Sequence, residues 1–221
     1  MPVAWIIRER TGDVGVFHSV DPDPQRVATF HTVVRRTLVL GSAQSVARVD
    51  RTVADALGVE IVQRRSGGGA VFLVPDEFVW LDLVIPAADR LWLDDVGQAM
   101  RWVGECWAGA LDRLGVRATV HTGPLINTTW SRDVCFAGIG TGEVVIGQSK
   151  LVGVAQRRTR EWARFQTMCH VRWRPEFVAA LVAPGGPHPA ELAASVTSVD
   201  VPPDRLRDAL VGELRGPTFS R

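Results

Sequence analysis

Three consecutive glycines, Gly67, Gly68 and Gly69, separate two apolar runs, Val59 to Gln63 and Ala70 to Val74. Glycine loses more backbone freedom on folding than any other residue. A run of three is therefore costly unless the chain needs positive φ or something must approach its backbone closely. Arg64, Arg65 and Ser66 stand directly before the glycines. A pliant loop with exposed N–H groups and adjacent guanidinium groups can cradle a phosphate or a carboxylate. A flexible hairpin loop is the plainer alternative. No Gly-Lys-Ser/Thr follows and no GxGxxG is present, so the two common nucleotide-loop patterns are excluded.

A second constraint lies 81 residues beyond Gly69. Lys150 is the only lysine in a chain with 24 arginines. An ammonium is a compact point charge with rotatable donors, and a guanidinium fork does not replace it where one oxygen must be met end-on. Val144-Val145-Ile146 and Leu151-Val152-Gly153-Val154 flank a Gly-containing turn. This pattern predicts a β-hairpin with Lys150 at the start of its second strand.

The remaining segments predict mixed strands and helices. Strands are expected at 3–7, 37–40, 59–63, 117–121, 133–136 and 165–173. Residues 70–74 and 78–85 are expected to pair as a hairpin across Pro75-Asp76-Glu77. Ser45 is placed as the cap of a helix running to Leu57, ended by Gly58. Apolar residues from Val96 to Leu114 recur at three- and four-residue steps and predict the longest helix, over 93–114. Shorter helices follow at 175–182 and 203–214. Hairpins dominate, which points to an α+β fold with a central mixed, largely antiparallel sheet flanked by helices. A boundary is expected where Pro, Gly and Ala accumulate, including a loop at Pro184-Gly-Gly-Pro187. It divides residues 1–185 from a short helical C-terminal extension, 186–221.

Composition limits the partners. The net charge is +1, so no general polyanion-binding field is implied and nucleic acid is not an expected ligand. No apolar run approaches the roughly 18 residues of a membrane span, and the first residues do not read as a signal peptide. Cys106, Cys135 and Cys169 show no metal spacing, and an odd count fits a reducing cytoplasm.

Taken together, Arg64-Arg-Ser-Gly-Gly-Gly-Ala-Val-Phe72 and Gly147-Gln-Ser-Lys-Leu-Val-Gly-Val-Ala155 resemble the two motifs of the lipoate–protein ligase, octanoyltransferase and biotin–protein ligase catalytic-domain family. Thr37 to Gln44 is similar to that family's early strand ending Gly-x-x-Gln. The resemblance spans roughly residues 35–185 and lies closest to the lipoate–protein ligases. It implies an enzyme that activates lipoate or octanoate with ATP and Mg as an acyl-adenylate. The acyl group then passes to a lysine of an apo lipoyl carrier domain, of the dehydrogenase E2 or glycine-cleavage H type. It assigns Lys150 to the acyl carbonyl and phosphate oxygens. Arg64, Ser66, Gly67, Gly68 and Gly69 would line the acyl-adenylate cavity, Ala70, Val71 and Phe72 would wall the alkyl tunnel, and Gly153 and Ala155 complete the lysine segment.

Two departures stand out. The family's Phe-His-Asp continuation reads Phe72-Leu-Val here, and a histidine-glycine that often follows the lysine segment is replaced around Gln166-Thr-Met168. The run Cys135-Phe136 with Lys150 downstream is also similar to octanoyltransferases that hold the acyl group from acyl carrier protein as a cysteine thioester. A buried structural cysteine is the plainer reading of Cys135. A non-catalytic member that binds an acyl group or an adenylate is the third alternative.

Overall fold

The computed structural model describes residues 4–182 and 185–220, so the Pro184 position of the expected loop lies outside the described residues. The strands are β1 (Ile6–Gly12), β2 (Val27–Val33), β3 (Thr37–Leu40), β4 (Glu60–Gln63), β5 (Val71–Leu73), β6 (Phe78–Pro86), β7 (Thr119–Val120), β8 (Val144–Ile146), β9 (Ser149–Arg158) and β10 (Trp162–His170). The helices are α1 (Val14–Ser19), α2 (Arg51–Ala56), α3 (Val96–Asp112), α4 (Pro175–Leu181), α5 (Pro189–Ser195), α6 (Pro203–Arg215) and α7 (Pro217–Ser220). Seven strands form one sheet in the order β1-β2-β6-β10-β9-β8-β7. Three form a second, β4-β3-β5. Parallel pairing occurs between β1 and β2 and between β3 and β4, and the other strand pairs are antiparallel. The fold is therefore α+β with a mixed, largely antiparallel central sheet.

Side-chain alternation stacks these elements into four layers. On β6, Val79, Leu81, Leu83 and Ile85 face α3 and α6, where Trp102, Trp107, Leu206, Leu210 and Leu214 complete one core. Asp95 caps α3 by accepting from Gln98 N, and Gly115, at φ 77°, ends it. Trp80 on the opposite face of β6 meets Val39 and Leu73 of the small sheet. The small sheet's far face, Leu38, Leu40 and Phe72, packs on Ala54, Val178, Leu181 and Leu192 of α2, α4 and α5. Between the two sheets lies a third core, built on Trp80, Phe136 and Met168.

Several sequence expectations need correction. The 70–74 run does not pair with 78–85. Instead β5 pairs with β3, and β6 lies between β2 and β10. The chain changes sheets within the intervening turn, where Asp76 has φ 63°. The single helix expected over 45–57 is two pieces: Ser45 caps only a 3₁₀ turn, and Asp50 then caps α2 by accepting from Val53 N. Residues 133–136 are not a strand, since Cys135–Ala137 form a 3₁₀ turn. Neither α1 nor β2 was anticipated.

Candidate active site

The glycine loop leaves β4 and is held from inside by Arg64. Its guanidinium is buried and donates to Gly67 O at 2.7 Å, Gly69 O at 2.9 Å and Val39 O at 3.4 Å. Arg64 therefore shapes the loop and does not offer its fork to an anion. Arg65 points outward and pairs with Asp21 at 2.8 Å. Where the loop ends, Ala70 N donates to Asp133 O and Cys135 N donates to Ala70 O, which stitches the segment carrying Cys135 alongside. A Cβ on Gly69 would lie 2.5 Å from Cys135 N and 2.6 Å from the Val134 carbonyl carbon. No side chain fits there, which accounts for that glycine directly. Gln44 closes the other side, accepting from Gly41 N and donating to the carbonyls of Arg132 and Asp133.

The hairpin expected around Lys150 is present as β8 and β9, with Gly147 at φ 62° in the turn. Lys150 is only 2% exposed. Its Nζ lies 2.7 Å from Glu143 Oε2, donates to Cys135 O at 2.8 Å, and sits 5.3 Å from the centroid of the Phe136 ring. Glu143 is itself buried and also accepts from Gly140 N and Val154 N. A buried ammonium is tolerable because this carboxylate is fully hydrogen-bonded beside it, and removing one partner would leave the other uncompensated. Glu143 and the Cys135 carbonyl are the acceptors around the ammonium among the described residues, and an ammonium has three hydrogens to give.

Two clefts converge here. The first is a narrow cleft between the sheets, walled by Val39, Val71, Leu73, Trp80, Phe136, Gly153 and Met168. The second is a wider groove bounded by Gly67, Gly68, Gly69, Arg132, Glu143, Lys150 and Gln156. Ser66, Cys135, Val154 and Ala155 line both. Ser66 Oγ is buried with no hydrogen-bond partner among the described residues, at the place where the two spaces meet. An apolar slot opening onto a donor-lined groove suits an acid with a greasy chain and a charged end.

Of the residues singled out from sequence, Lys150, Cys135, Ser66, Gly67, Gly68, Gly69, Val71, Gly153 and Ala155 gather around these clefts, and Arg64 borders the first. Ala70 and Phe72 do not. They pack in the core on the far side of the small sheet and line neither cleft. Strand alternation puts Val71 alone of the three on the cleft side. Glu143 carried no assignment from sequence. The available signal was an acid at the first residue of the hairpin that holds the only lysine. The Lys150 ammonium bonds the carbonyl of Cys135, not its thiol. Cys106 and Cys169 are fully buried, and burial pushes both thiols far above their ordinary range.

The model of the lipoyl protein ligase A/B catalytic domain matches residues 16–210. The chain belongs to this family. Comparison with curated proteins gives no match. Among solved structures, a lipoate-protein ligase A bound with ATP aligns with a TM-score of 0.73 at 19% identity, covering 97% of this chain and 85% of the other. The putative lipoate protein ligase Ta0514 from T. acidophilum, with bound lipoic acid, gives 0.72 at 19%, covering 97% and 84%. A bi-partite lipoate protein ligase from Thermoplasma acidophilum, described together with its E2 lipoyl domain, gives 0.72 at 18%, covering 97% and 83%. At these identities the likeness establishes the shared fold. Within the family fold, the two motifs meet across the gap between the sheets.

Proposed function

We propose that this family member joins a lipoyl or related medium-chain acyl group to a lysine of a lipoyl carrier domain, with ATP as the activating substrate and an acyl-adenylate between. The observation that carries the reading is the junction: an apolar slot and a glycine-lined groove share Ser66 and Cys135, and Lys150 sits there with two acceptors among the described residues for its three hydrogens. The neighbours that carry ATP, lipoic acid or an E2 lipoyl domain in their descriptions support the same choice of substrates and partner.

In the first half-reaction a carboxylate oxygen attacks the α-phosphorus and pyrophosphate leaves. In the second the carrier amine attacks the acyl carbonyl, and AMP leaves with the bonding pair. Lys150 faces the oxygens on which charge develops in both steps, and its burial keeps its charge little screened. Glu143 and Cys135 O fix the orientation of its ammonium. The loop amides of residues 67–69 and the exposed Arg132 guanidinium face the phosphates. Among the described residues no three His, Cys, Asp or Glu side chains cluster to hold a metal. Mg²⁺ accompanying ATP would therefore take its oxygens chiefly from phosphate and water.

Incubation with lipoate, ATP and an apo lipoyl domain tests this by the mass of the carrier. Lys150→Ala is expected to lower the labelling rate by about 10²–10³-fold, the usual cost of losing an electrostatic stabiliser. Labelling as fast as in the parent protein would sink the assignment. The position of Cys135 at the junction supports a second reading, in which it takes an octanoyl group from acyl carrier protein as a thioester. Its test is an octanoyl adduct on Cys135 after mixing with octanoyl-acyl carrier protein.

A further inference from the structure

We propose that His18 and Gln166 form a specificity pair that reads one neutral hydrogen-bonding group on the chain of the bound acid, so that the preferred substrate is a medium-chain acid with a polar substituent and not a plain alkyl acid. This rests on reading the inter-sheet cleft as the acyl site.

The pair is built into the cleft wall. His18, on α1, stacks on Trp80 with ring centroids 5.0 Å apart and planes at 29°. Its Nδ1 lies 3.1 Å from Gln166 Nε2 on β10. The amide nitrogen can only donate, so Nδ1 accepts and the ring proton sits on Nε2. Neither His18 Nε2 nor Gln166 Oε1 has a hydrogen-bond partner among the described residues, and neither is sealed from solvent-sized space. Both residues line the cleft, and between them they keep one donor and one acceptor unpaired among the described residues.

Of the other polar groups lining the cleft, Arg64 Nε and Ser66 Oγ are buried and without a partner among the described residues, at the glycine-loop end, and the rest are engaged elsewhere. Arg64 holds the carbonyls of the glycine loop. Thr167 Oγ1 points to the opposite core, where it bonds Trp107 Nε1 and Leu81 O. Ser66 and Cys135 belong to the junction with the groove.

The pair is also held firmly. Arg164 donates to Phe17 O and Val20 O at either end of the His18 turn, and its guanidinium is anchored on buried Asp82. Trp80 Nε1 donates to the same carboxylate at 2.7 Å. Burial lowers the His18 pKa to about 4. The imidazole is accordingly neutral near pH 7, which suits an uncharged partner and not a second carboxylate. An alkyl chain laid against the pair would leave a donor and an acceptor dry and unmatched, whereas a hydroxyl or ureido group would satisfy both. A dithiolane sulfur is a weak acceptor and falls between these cases.

The experiment is a thermal-shift titration of the whole protein with ATP present. The ligands are octanoate, a positional series of hydroxyoctanoates, lipoate and biotin. At least one hydroxyoctanoate or biotin is expected to bind about tenfold tighter than octanoate, with lipoate between them. In the His18→Phe/Gln166→Leu protein, which keeps the stack on Trp80 and the volume of the glutamine, that preference should collapse and octanoate should gain. Octanoate binding as tightly as every polar-chain acid overturns the proposal. So does a preference that survives the double substitution. Should the double variant not fold, Gln166→Leu alone and the parent titration still decide. Failure of every acid to stabilise the protein is a different result, and it overturns the acyl reading of the cleft itself.

Discussion

At Gly41, on the far side of the glycine loop from Lys150, the constraint is one atom wide. An added Cβ would lie 1.9 Å from Gly68 O, so alanine cannot be placed without moving the loop backbone. Gly67 is different: nothing lies within 4 Å of a Cβ built there. Gly41→Ala is therefore expected to cost about 1–3 kcal/mol, in the range of overpacking a filled site, and, on the proposed reading of the loop as the phosphate cradle, to slow carrier labelling at least tenfold by displacing its amides. Gly67→Ala should keep the parental Tm. Thermal denaturation of both variants with the labelling assay checks the contrast. A Gly41→Ala protein with parental Tm and rate would show that the loop is looser than its packing implies.

Sequence pattern was most informative where an element carries its own period or its own turn. The Lys150 hairpin was readable because apolar alternation and a glycine turn both act within ten residues of chain. So was α3, whose apolar face repeats over five turns and is ended by a positive-φ glycine. Legibility failed where the deciding partner is distant. Strand β5 chooses β3 over the neighbouring β6, a choice made by the Thr37↔Leu73 register and the core beneath it. Strand β2 is buried along both faces but carries Thr29, His31 and Thr32, and His31 Nε2 finds its partner in Asp82, 51 residues away, while Nδ1 has none among the described residues. The expected helix over 45–57 ran two capping signals together. Asp50 is the second, and its side chain begins a new helix after Val49 has turned extended. The site divided the same way: the two motifs announced the loop and the lysine, whereas Glu143, His18 and Gln166 become recognisable only once the sheets are stacked. Because Asp50 caps a true α-helix and Ser45 only a single 3₁₀ turn, Asp50→Ala should cost about 1 kcal/mol and Ser45→Ala clearly less. Urea denaturation of the two variants measures the difference.

The four-layer arrangement buries His18 and His170 among other side chains of the interior, and this couples the stability of the whole molecule to pH. His170 is buried against Phe136, at 4.6 Å, and Trp173, at 4.9 Å, and burial lowers its pKa to about 3. Burial likewise brings His18 to about 4, against an ordinary value of 6.5. A depressed histidine means that the unfolded chain binds the proton more readily than the folded one. Stability is then complete above pH 6.5 and declines as pH falls toward the folded values, with unfolding favoured by about 2 kcal/mol per histidine at pH 5. Asp82 does not oppose this trend within that window. Its burial alone would raise its pKa, but Arg164 and His31 outweigh that and hold it below the usual carboxylate range, so its contribution is lost only under pH 3.8. Urea unfolding at pH 7.5 and pH 5 should therefore differ by several kcal/mol. His170→Phe, which keeps an aromatic ring between Phe136 and Trp173, should remove about half of that difference. A chain equally stable at both pH values would mean that the interior admits water to both rings. The dry slot required for an acyl chain would then be lost along with the pH effect.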